Sequence, residues 1–247
     1  MSEVTLTHRK EFETVLDGYQ PSEAAKSTLG KIPLVIMLGV AGGGRNTIIN
    51  HLVNSGKYHF IVSDTTRPPK LRDGKMEQDG VNYNFRSEED VLKDLTEGKF
   101  LEAELIHNQQ VSGISVRELE RAAASGKVPI NEIDLGGTVA VRRAKPDTYF
   151  FFVVPPSYKE WMYRLQGREV MTEQELHNRL ETAVRVLREG LSSSDFIFVI
   201  NDSSHRTAMR IDEEVRSGRS NREEHEAGRQ AAEEILHELS ARLASKT

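Results

Sequence analysis

A glycine-rich segment has the composition and spacing of a loop that binds phosphate. The segment reads Gly39-Val-Ala-Gly42-Gly43-Gly44-Arg45-Asn46-Thr47. It follows an apolar run, Pro33–Leu38, and precedes a helical pattern that begins at Ile48. Glycines let successive backbone N–H groups turn toward one anion, and the N-terminus of the next helix adds positive potential. A glycine-rich surface turn is the alternative, but the strand and helix on either side favour phosphate binding.

Two residues depart from the usual G-x-x-x-x-G-K-[ST] order of such loops. Arg45 stands at the lysine position and Asn46 at the serine or threonine position. A guanidinium keeps the positive charge but grips pairs of oxygens instead of acting as a point charge. Asn46 offers an amide oxygen to Mg²⁺ where a hydroxyl is usual, and Thr47 lies one residue beyond that position. We expect nucleotide binding to tolerate these changes better than catalysis does.

A second group of phosphate-binding side chains follows the next apolar run, His59–Ser63. The residues read Ser63-Asp-Thr-Thr-Arg67-Pro-Pro-Lys70 and, further on, Glu77-Gln-Asp-Gly80-Val-Asn-Tyr83-Asn-Phe85. Hydroxyls and cations in one segment supply the donors that a phosphate monoester needs. A solvated turn explains this segment nearly as well when it is taken alone.

Together the two segments resemble the guanylate kinase family, whose members carry S-x-T-T-R-x-P-R and then E-x-x-G-x-x-Y-x-F around GMP. The resemblance extends in the family's order over residues 32–203. The other matches are Gly98–Glu102 for G-x-F-L-E, Glu132-Ile-Asp134 with Gly137 for E-I-D-x-x-G, Val153–Ser157 before the lid, Arg164–Arg168 in the lid, and Val199–Asp202 near adenine. Several matches in order are much harder to produce by chance than one.

The resemblance implies that ATP, with Mg²⁺, donates a phosphoryl group to GMP or dGMP. The residues implied for ATP are Gly39, Gly42, Gly43, Gly44, Arg45, Asn46, Thr47 and Asn201. The implied catalytic cations are Arg45, Arg164, Arg168 and Arg179. Asn46 is the implied metal ligand. Because such a transfer needs little covalent participation by the protein, positioning and positive charge supply most of the catalysis.

The resemblance also implies a GMP site. Its phosphate would be held by Ser63, Arg67, Lys70 and Tyr83. Arg72 would substitute if the insertion between Lys70 and Glu77 shifts the register. Glu102 and Asp134 would accept hydrogen bonds from the N–H donors of the guanine edge. Carboxylates at these positions favour guanine over adenine.

Part of this GMP site departs from the family's pattern. Val111-Ser112-Gly113-Ile114 stands where the family has Y-Y-G-[ST], Lys70 replaces an arginine, and Gly136 replaces a glutamine. Two alternatives therefore stay open beside guanylate kinase activity. One is a module that has lost turnover and binds nucleotide or phosphorylated or acidic protein segments. The other is a kinase for a different monophosphate or a phosphorylated sugar.

Apolar runs and capping signals predict the elements that position these residues. Strands are expected at Pro33–Leu38, His59–Ser63, Val128–Ile133, Tyr149–Val154 and Phe196–Ile200. Helices are expected to start at Ser87, Ser115, Ser157 and Thr172, each followed by a carboxylate three residues later. We expect the last of these helices to stop at Gly190, and Gly218 and Gly228 to break the charged segment beyond Ser203.

These patterns predict an α/β protein, and the resemblance implies that it has the three-layer P-loop kinase fold. It would have a five-stranded parallel sheet, an inserted small mixed β/α monophosphate-binding subdomain at about 62–116, and a helical lid at about 160–180. Residues 1–31 are interpreted as a partly helical extension, 32–206 as the main domain, and 207–247 as a charged extension that ends in a docked helix.

The amino-acid composition limits the kinds of molecule that the protein is expected to bind. The 247 residues carry a formal net charge of -5 and no cysteine, and no apolar stretch is long enough to span a membrane. The expectation is a cytoplasmic protein that binds neither nucleic acid nor membrane, with no disulfide or thiolate metal site. The sequence does not indicate an oligomeric state.

Overall fold

The computed structural model describes residues 6–72, 74–167 and 171–244, with the side chain of Arg72 left undescribed. The helices are α1 Arg9–Leu16, α2 Glu23–Leu29, α3 Arg45–Asn54, α4 Glu88–Thr96, α5 Val116–Ala124, α6 Leu135–Ala144, α7 Tyr158–Gln166, α8 Glu173–Ser192, α9 Ser204–Ser217 and α10 Arg222–Ala244. The strands are β1 Val35–Gly39, β2 Tyr58–Phe60, β3 Asp64–Thr65, β4 Leu71–Arg72, β5 Lys75–Met76, β6 Asn84–Phe85, β7 Phe100–Ile106, β8 Gln110–Ser115, β9 Val128–Glu132, β10 Tyr149–Val154 and β11 Ile197–Ile200.

Within these described ranges, the largest sheet has five strands in the order β11-β10-β1-β9-β2. The pairs β1–β10 and β10–β11 are parallel and in continuous register. Because strands of such a sheet are covered on both faces, they are expected to be continuously apolar, and the β10 residues from Phe150 onward are all buried. The predicted five-stranded α/β fold is confirmed, and each strand end lies within three residues of its predicted position.

The chain divides into two compact units. The first comprises Met1–Leu34, His59–Asn131 and Gly136–Thr148. The second comprises Val35–Tyr58, Glu132–Leu135 and Tyr149–Thr247. The glycine-rich segment therefore belongs to the second unit, and the segment from Ser63 to Phe85 belongs to the first.

In the first unit a smaller sheet of four strands has the order β6-β3-β8-β7 over the described residues. A separate hairpin pairs β4 with β5. The N-terminal helix α1 packs here: Leu6 and Phe12 share an apolar cluster with Val91, Phe100 and Val111. The two N-terminal helices lie on either side of Pro21, which cannot donate a backbone hydrogen bond.

In the second unit, α10 packs on β10, β11 and α8, and α8 also contacts β1. Two predictions about their glycines were wrong. Gly190 lies inside α8, where a Cβ would collide with the ring of Phe152, and Gly228 lies inside α10 against the backbone of Phe198. Close packing, not chain termination, requires a glycine at both positions.

The four predicted helix starts agree with the structure, although one cap works differently. Ser87, Ser157 and Thr172 accept hydrogen bonds from backbone N–H groups three residues later, and Thr172 forms a complete capping box with Glu175. Ser115 precedes α5 without a side-chain cap, and its hydroxyl is buried without a hydrogen-bond partner. In the described parts of the chain, no helix combines the length and apolarity that crossing a bilayer requires.

Candidate functional site

The glycine-rich segment forms a tight bend between β1 and α3 in the second unit. Gly44 is the N-cap of α3 with φ 94°, a left-handed conformation that favours glycine. A Cβ on Gly44 would collide with the side-chain amide of Asn201, and a Cβ on Gly39 would collide with the carbonyl of Val153. The N-terminus of α3, with its unpaired backbone N–H groups, follows directly. The bend and the helix together have the form of an anion site.

Asn201 holds this bend from the end of β11. Its amide Nδ2 donates to the carbonyl of Gly43 at 2.8 Å, and its Oδ1 accepts from the Ser204 hydroxyl at 3.3 Å. The side chain of Asn201 is buried. Asn201 was predicted to contact ATP, and in the structure its amide donates to the backbone of the glycine-rich bend.

Helix α7 adds two further contacts to the same region. The indole Nε1 of Trp161 donates to the carbonyl of Ala41 at 2.8 Å. Arg164 donates from Nη1 to the carbonyl of Asn201 at 3.0 Å and from Nε to Glu160 at 2.9 Å. Arg164, implied to be a lid cation, is thus placed beside the loop-bracing asparagine.

Glu132, at the end of β9, lies next to both unusual residues of the loop. Its carboxylate is 3.6 Å from the Nε of Arg45. In the amide orientation that satisfies both groups, Asn46 donates to the two oxygens of Glu132 at 2.8 and 3.2 Å. An acid therefore accompanies the arginine and the asparagine that replace the usual lysine and hydroxyl.

The other predicted residues of the second unit are exposed. Thr47 lies in the first turn of α3, and Asp134 lies between β9 and α6. Arg179 projects from α8. Hydrogen bonds from Thr172 lower the pKa of the Glu175 carboxyl, and the positive charge of Arg179 lowers it further. Arg168 falls outside the described residues.

In the first unit, Arg67 is the centre of the predicted phosphate site. It is only 4% exposed, and its guanidinium forms two hydrogen bonds to the carboxylate of Glu77, at 2.5 and 3.0 Å. Glu77 also accepts a hydrogen bond from the backbone N–H of Lys70 at 2.9 Å. Hydrogen bonding to Glu77 raises the pKa of Arg67, so the guanidinium is permanently charged.

Aromatic rings complete the surroundings of Arg67. The guanidinium carbon lies 4.7 Å from the ring centre of Tyr83 and 5.7 Å from that of Phe85. Tyr83 is half-buried, whereas the Lys70 side chain is exposed and Ser63 is half-buried at the entry to β3. The structure thus brings Arg67 and Tyr83 into direct contact.

Strand β8 carries Val111-Ser112-Gly113-Ile114, which stand where the family has Y-Y-G-[ST]. Ser112 donates to the Thr65 hydroxyl at 2.7 Å, and Gln110 donates to Ser112 at 3.2 Å. On β7, Glu102 accepts a hydrogen bond from the backbone N–H of Ile114 at 3.1 Å. The polar side chains of Thr65, Ser112 and Gln110 are thus linked by hydrogen bonds. Ser112 lies opposite Glu104, whereas Ile114 lies opposite Glu102.

Sequence reasoning missed the roles of two carboxylates. Glu77 was part of the E-x-x-G-x-x-Y-x-F match and Glu132 part of the E-I-D match, but neither was assigned to the site. The signal was available for Glu77, because a buried arginine requires a paired acid. Glu132 contacts residues 86 and 87 positions earlier in the chain, a distance that sequence spacing does not reveal.

Comparisons with known proteins agree with this architecture. Residues 31–216 match the family model described as Guanylate kinase. Proteins named guanylate kinase 1 from Arabidopsis thaliana and Oryza sativa subsp. japonica are 37% and 36% identical, covering 68% and 70% of this chain. The chain spans only 43% and 44% of those plant relatives.

Bacterial relatives match over most of their length. The guanylate kinase of Sulfurimonas denitrificans is 32% identical over 72% of this chain and 84% of its own length. A crystal structure of guanylate kinase from Anaplasma phagocytophilum shares the fold with a TM-score of 0.51 and 23% sequence identity, covering 76% of this chain and 85% of that one.

Proposed function

Because the chain belongs to the guanylate kinase family, we propose that it transfers the γ-phosphoryl group of ATP to GMP or dGMP, which yields ADP and GDP or dGDP. The observation that carries the proposal is the left-handed Gly44 bend that leads into α3 with Arg45 at the first helical position. This arrangement places the backbone N–H groups of a helix N-terminus and one arginine residue at the same end of α3. Such a site suits the phosphate groups of a nucleotide.

On the ATP side, the bend from Gly39 to Gly44 binds the phosphate oxygens through backbone N–H groups, and Arg45 supplies the charge that lysine supplies in related loops. Asn201 keeps the bend in shape through Gly43. Arg164, Arg168 and Arg179 are proposed to neutralise the transferring group, since charge spreads over its oxygens in the transition state.

The side chains near the loop fit Mg²⁺. This ion prefers oxygen ligands, with several positions left to water and to substrate phosphates. The carboxylate of Glu132 and the amide oxygen of Asn46 are oxygen donors, and the Asn46 nitrogen is directed to Glu132. We assign these two residues to the Mg²⁺ that accompanies ATP. When bound, the ion would supply positive charge that stabilises the transferring phosphoryl group.

On the monophosphate side, Arg67 is proposed to bind the phosphate of GMP with the N–H groups that Glu77 and Pro68 do not use. Tyr83, Ser63 and the exposed Lys70 complete this group, and Glu102 and Asp134 accept hydrogen bonds from guanine. The buried Glu77 holds the plane of the Arg67 guanidinium, which fixes the direction of its remaining donors. The reaction is proposed to occur in the cytoplasm.

A coupled ADP-release assay with GMP, dGMP, AMP and IMP tests the proposal. We expect turnover with GMP and dGMP, and at most a few per cent of that rate with AMP. Arg45→Lys is expected to keep or increase kcat, because lysine restores the usual group at this position.

Two other outcomes separate the alternatives. Turnover with a different monophosphate and none with GMP would assign another substrate. No turnover with any nucleotide, together with binding of a phosphorylated peptide measured by calorimetry, would favour a binding module. Either result would overturn guanylate kinase activity.

A further inference from the structure

Tyr19 of the N-terminal segment contacts the backbone of the strand that carries Glu102. Its hydroxyl donates to the carbonyl of Phe100 at 3.1 Å and accepts from the N–H of Phe100 at 2.9 Å. Phe100 is the first residue of β7, and β7 lies at the edge of the order β6-β3-β8-β7. Edge strands leave such backbone groups without a partner strand. The Tyr19 hydroxyl therefore forms hydrogen bonds with both the N–H and the carbonyl of Phe100, which face away from the sheet.

The pairing of β7 with β8 is irregular just beyond this contact. Phe100 is opposite Ser115, but Glu102 is opposite Ile114, so the register shifts across Leu101. A β-bulge of this kind bends the strand and changes the direction of the side chains that follow. Glu102 is the first paired residue after the bulge. The bulge thus determines the direction in which the Glu102 side chain extends from β7.

The N-terminal segment is fixed at this position by further contacts. Ser22 donates its N–H to the carbonyl of Gly98 at 2.9 Å, and a Cβ on Gly98 would collide with the backbone of Ser22. The ring of Tyr19 packs on the apolar cluster that contains Phe12 and Phe100. These contacts hold the Tyr19 hydroxyl against Phe100.

We propose that Tyr19 is a positioning residue for recognition of the guanine base: its two hydrogen bonds to Phe100 hold the bulge that directs Glu102. This inference rests on the proposed function, in which Glu102 accepts hydrogen bonds from guanine. Tyr19 lies before the family match at residues 31–216. On this proposal, the N-terminal segment contributes to the GMP site of this chain and is not an independent extension.

The test compares Tyr19→Phe with Val15→Ala by steady-state kinetics. Val15 packs on the same cluster but makes no polar contact with Phe100, so Val15→Ala weakens docking without removing the hydroxyl. Tyr19→Phe is expected to raise KM for GMP about tenfold, with KM for ATP and kcat unchanged. IMP lacks the 2-amino group, so the preference of kcat/KM for GMP over IMP is expected to fall. Val15→Ala is expected to lower Tm with little change in either KM.

A double-mutant comparison shows whether Tyr19 acts through Glu102. In a Glu102→Gln background, Tyr19→Phe is expected to produce no further loss of GMP affinity, measured by calorimetry. Additive losses, an unchanged KM for GMP in Tyr19→Phe, or an equal effect of Val15→Ala would each overturn the inference. Failure of the proposed function is distinguishable, because the wild-type protein would then neither bind nor phosphorylate GMP.

Discussion

Arg67 and Glu77 form a buried, two-pronged ion pair in the first unit, with 4% and 6% of their surfaces exposed. Such a pair is retained only if each charge keeps its partner, because an isolated buried ion loses its hydration without compensation. Arg67, which is proposed to bind the phosphate of GMP, therefore depends on Glu77 to keep its buried charge paired.

Removing the acid alone is expected to destabilise the protein strongly. Glu77→Ala leaves the Arg67 charge buried and unpaired, which costs about 3–5 kcal/mol of unfolding free energy. Urea denaturation followed by circular dichroism measures the change. The double variant Arg67→Met with Glu77→Leu is the control, because it removes both charges and is expected to recover most of the stability. If Glu77→Ala were as stable as wild type, the pair would not be buried as described.

The contact between Asn201 and Gly43 gives a prediction for ATP binding. Asn201→Ala removes the donor to a buried carbonyl and is expected to cost about 1–3 kcal/mol of stability. Because the carbonyl belongs to the bend that is proposed to bind the ATP phosphates, KM for ATP is also expected to rise about tenfold, while KM for GMP stays near its wild-type value. Kinetics with each substrate varied in turn measure both constants. Equal increases in the two constants would contradict a role confined to the loop.

Much of this architecture could be predicted from the sequence, because it depends on local patterns. The β10 strand, Tyr149–Val154, coincides with its predicted range, and Thr172 caps α8 as its spacing predicts. Both signals are complete within a few residues of chain. The five strands of the main sheet followed from runs of the same kind.

Features that depend on distant partners could not be predicted. Gly190 has the local context of a helix end, but the ring of Phe152 decides its role. Asn46 has the position of a metal ligand, and only the fold places Glu132 against its amide. Tyr19 belongs to no sequence motif, and its hydrogen bonds to the backbone of Phe100 become visible only in the folded chain. Side-chain packing and strand register determine these roles, and residue spacing predicts neither.

The catalytic role proposed for Arg179 is tested against another arginine on the same helix. Arg179→Ala is expected to reduce kcat about 100-fold, which corresponds to about 2.7 kcal/mol of transition-state stabilisation. Arg188→Ala is the matched control, since Arg188 is also an exposed residue of α8 and belongs to no proposed site. A stopped-time assay of GDP formation under saturating substrates measures kcat. Similar activity in both variants would remove Arg179 from the catalytic group.

The partly buried side chain of Tyr19 predicts a pH dependence of stability. Burial raises the pKa of Tyr19 to about 12, whereas a tyrosine in an unfolded chain has a pKa of about 10. Below about pH 10 both states keep the proton, so the contribution of this group to stability is fully present. Between about pH 10 and 12 the unfolded chain releases the proton and the folded protein retains it, so stability falls as pH rises.

Urea denaturation of wild type and Tyr19→Phe at pH values from 9 to about 11.5 measures this dependence. Other alkaline groups, including the buried Tyr58, titrate in both proteins and cancel in the difference. The unfolding free energy of wild type is therefore expected to fall more steeply with pH than that of Tyr19→Phe. Parallel curves would show that the Tyr19 hydroxyl ionises equally in both states. A hydroxyl that ionises so readily could not remain the donor that holds Phe100.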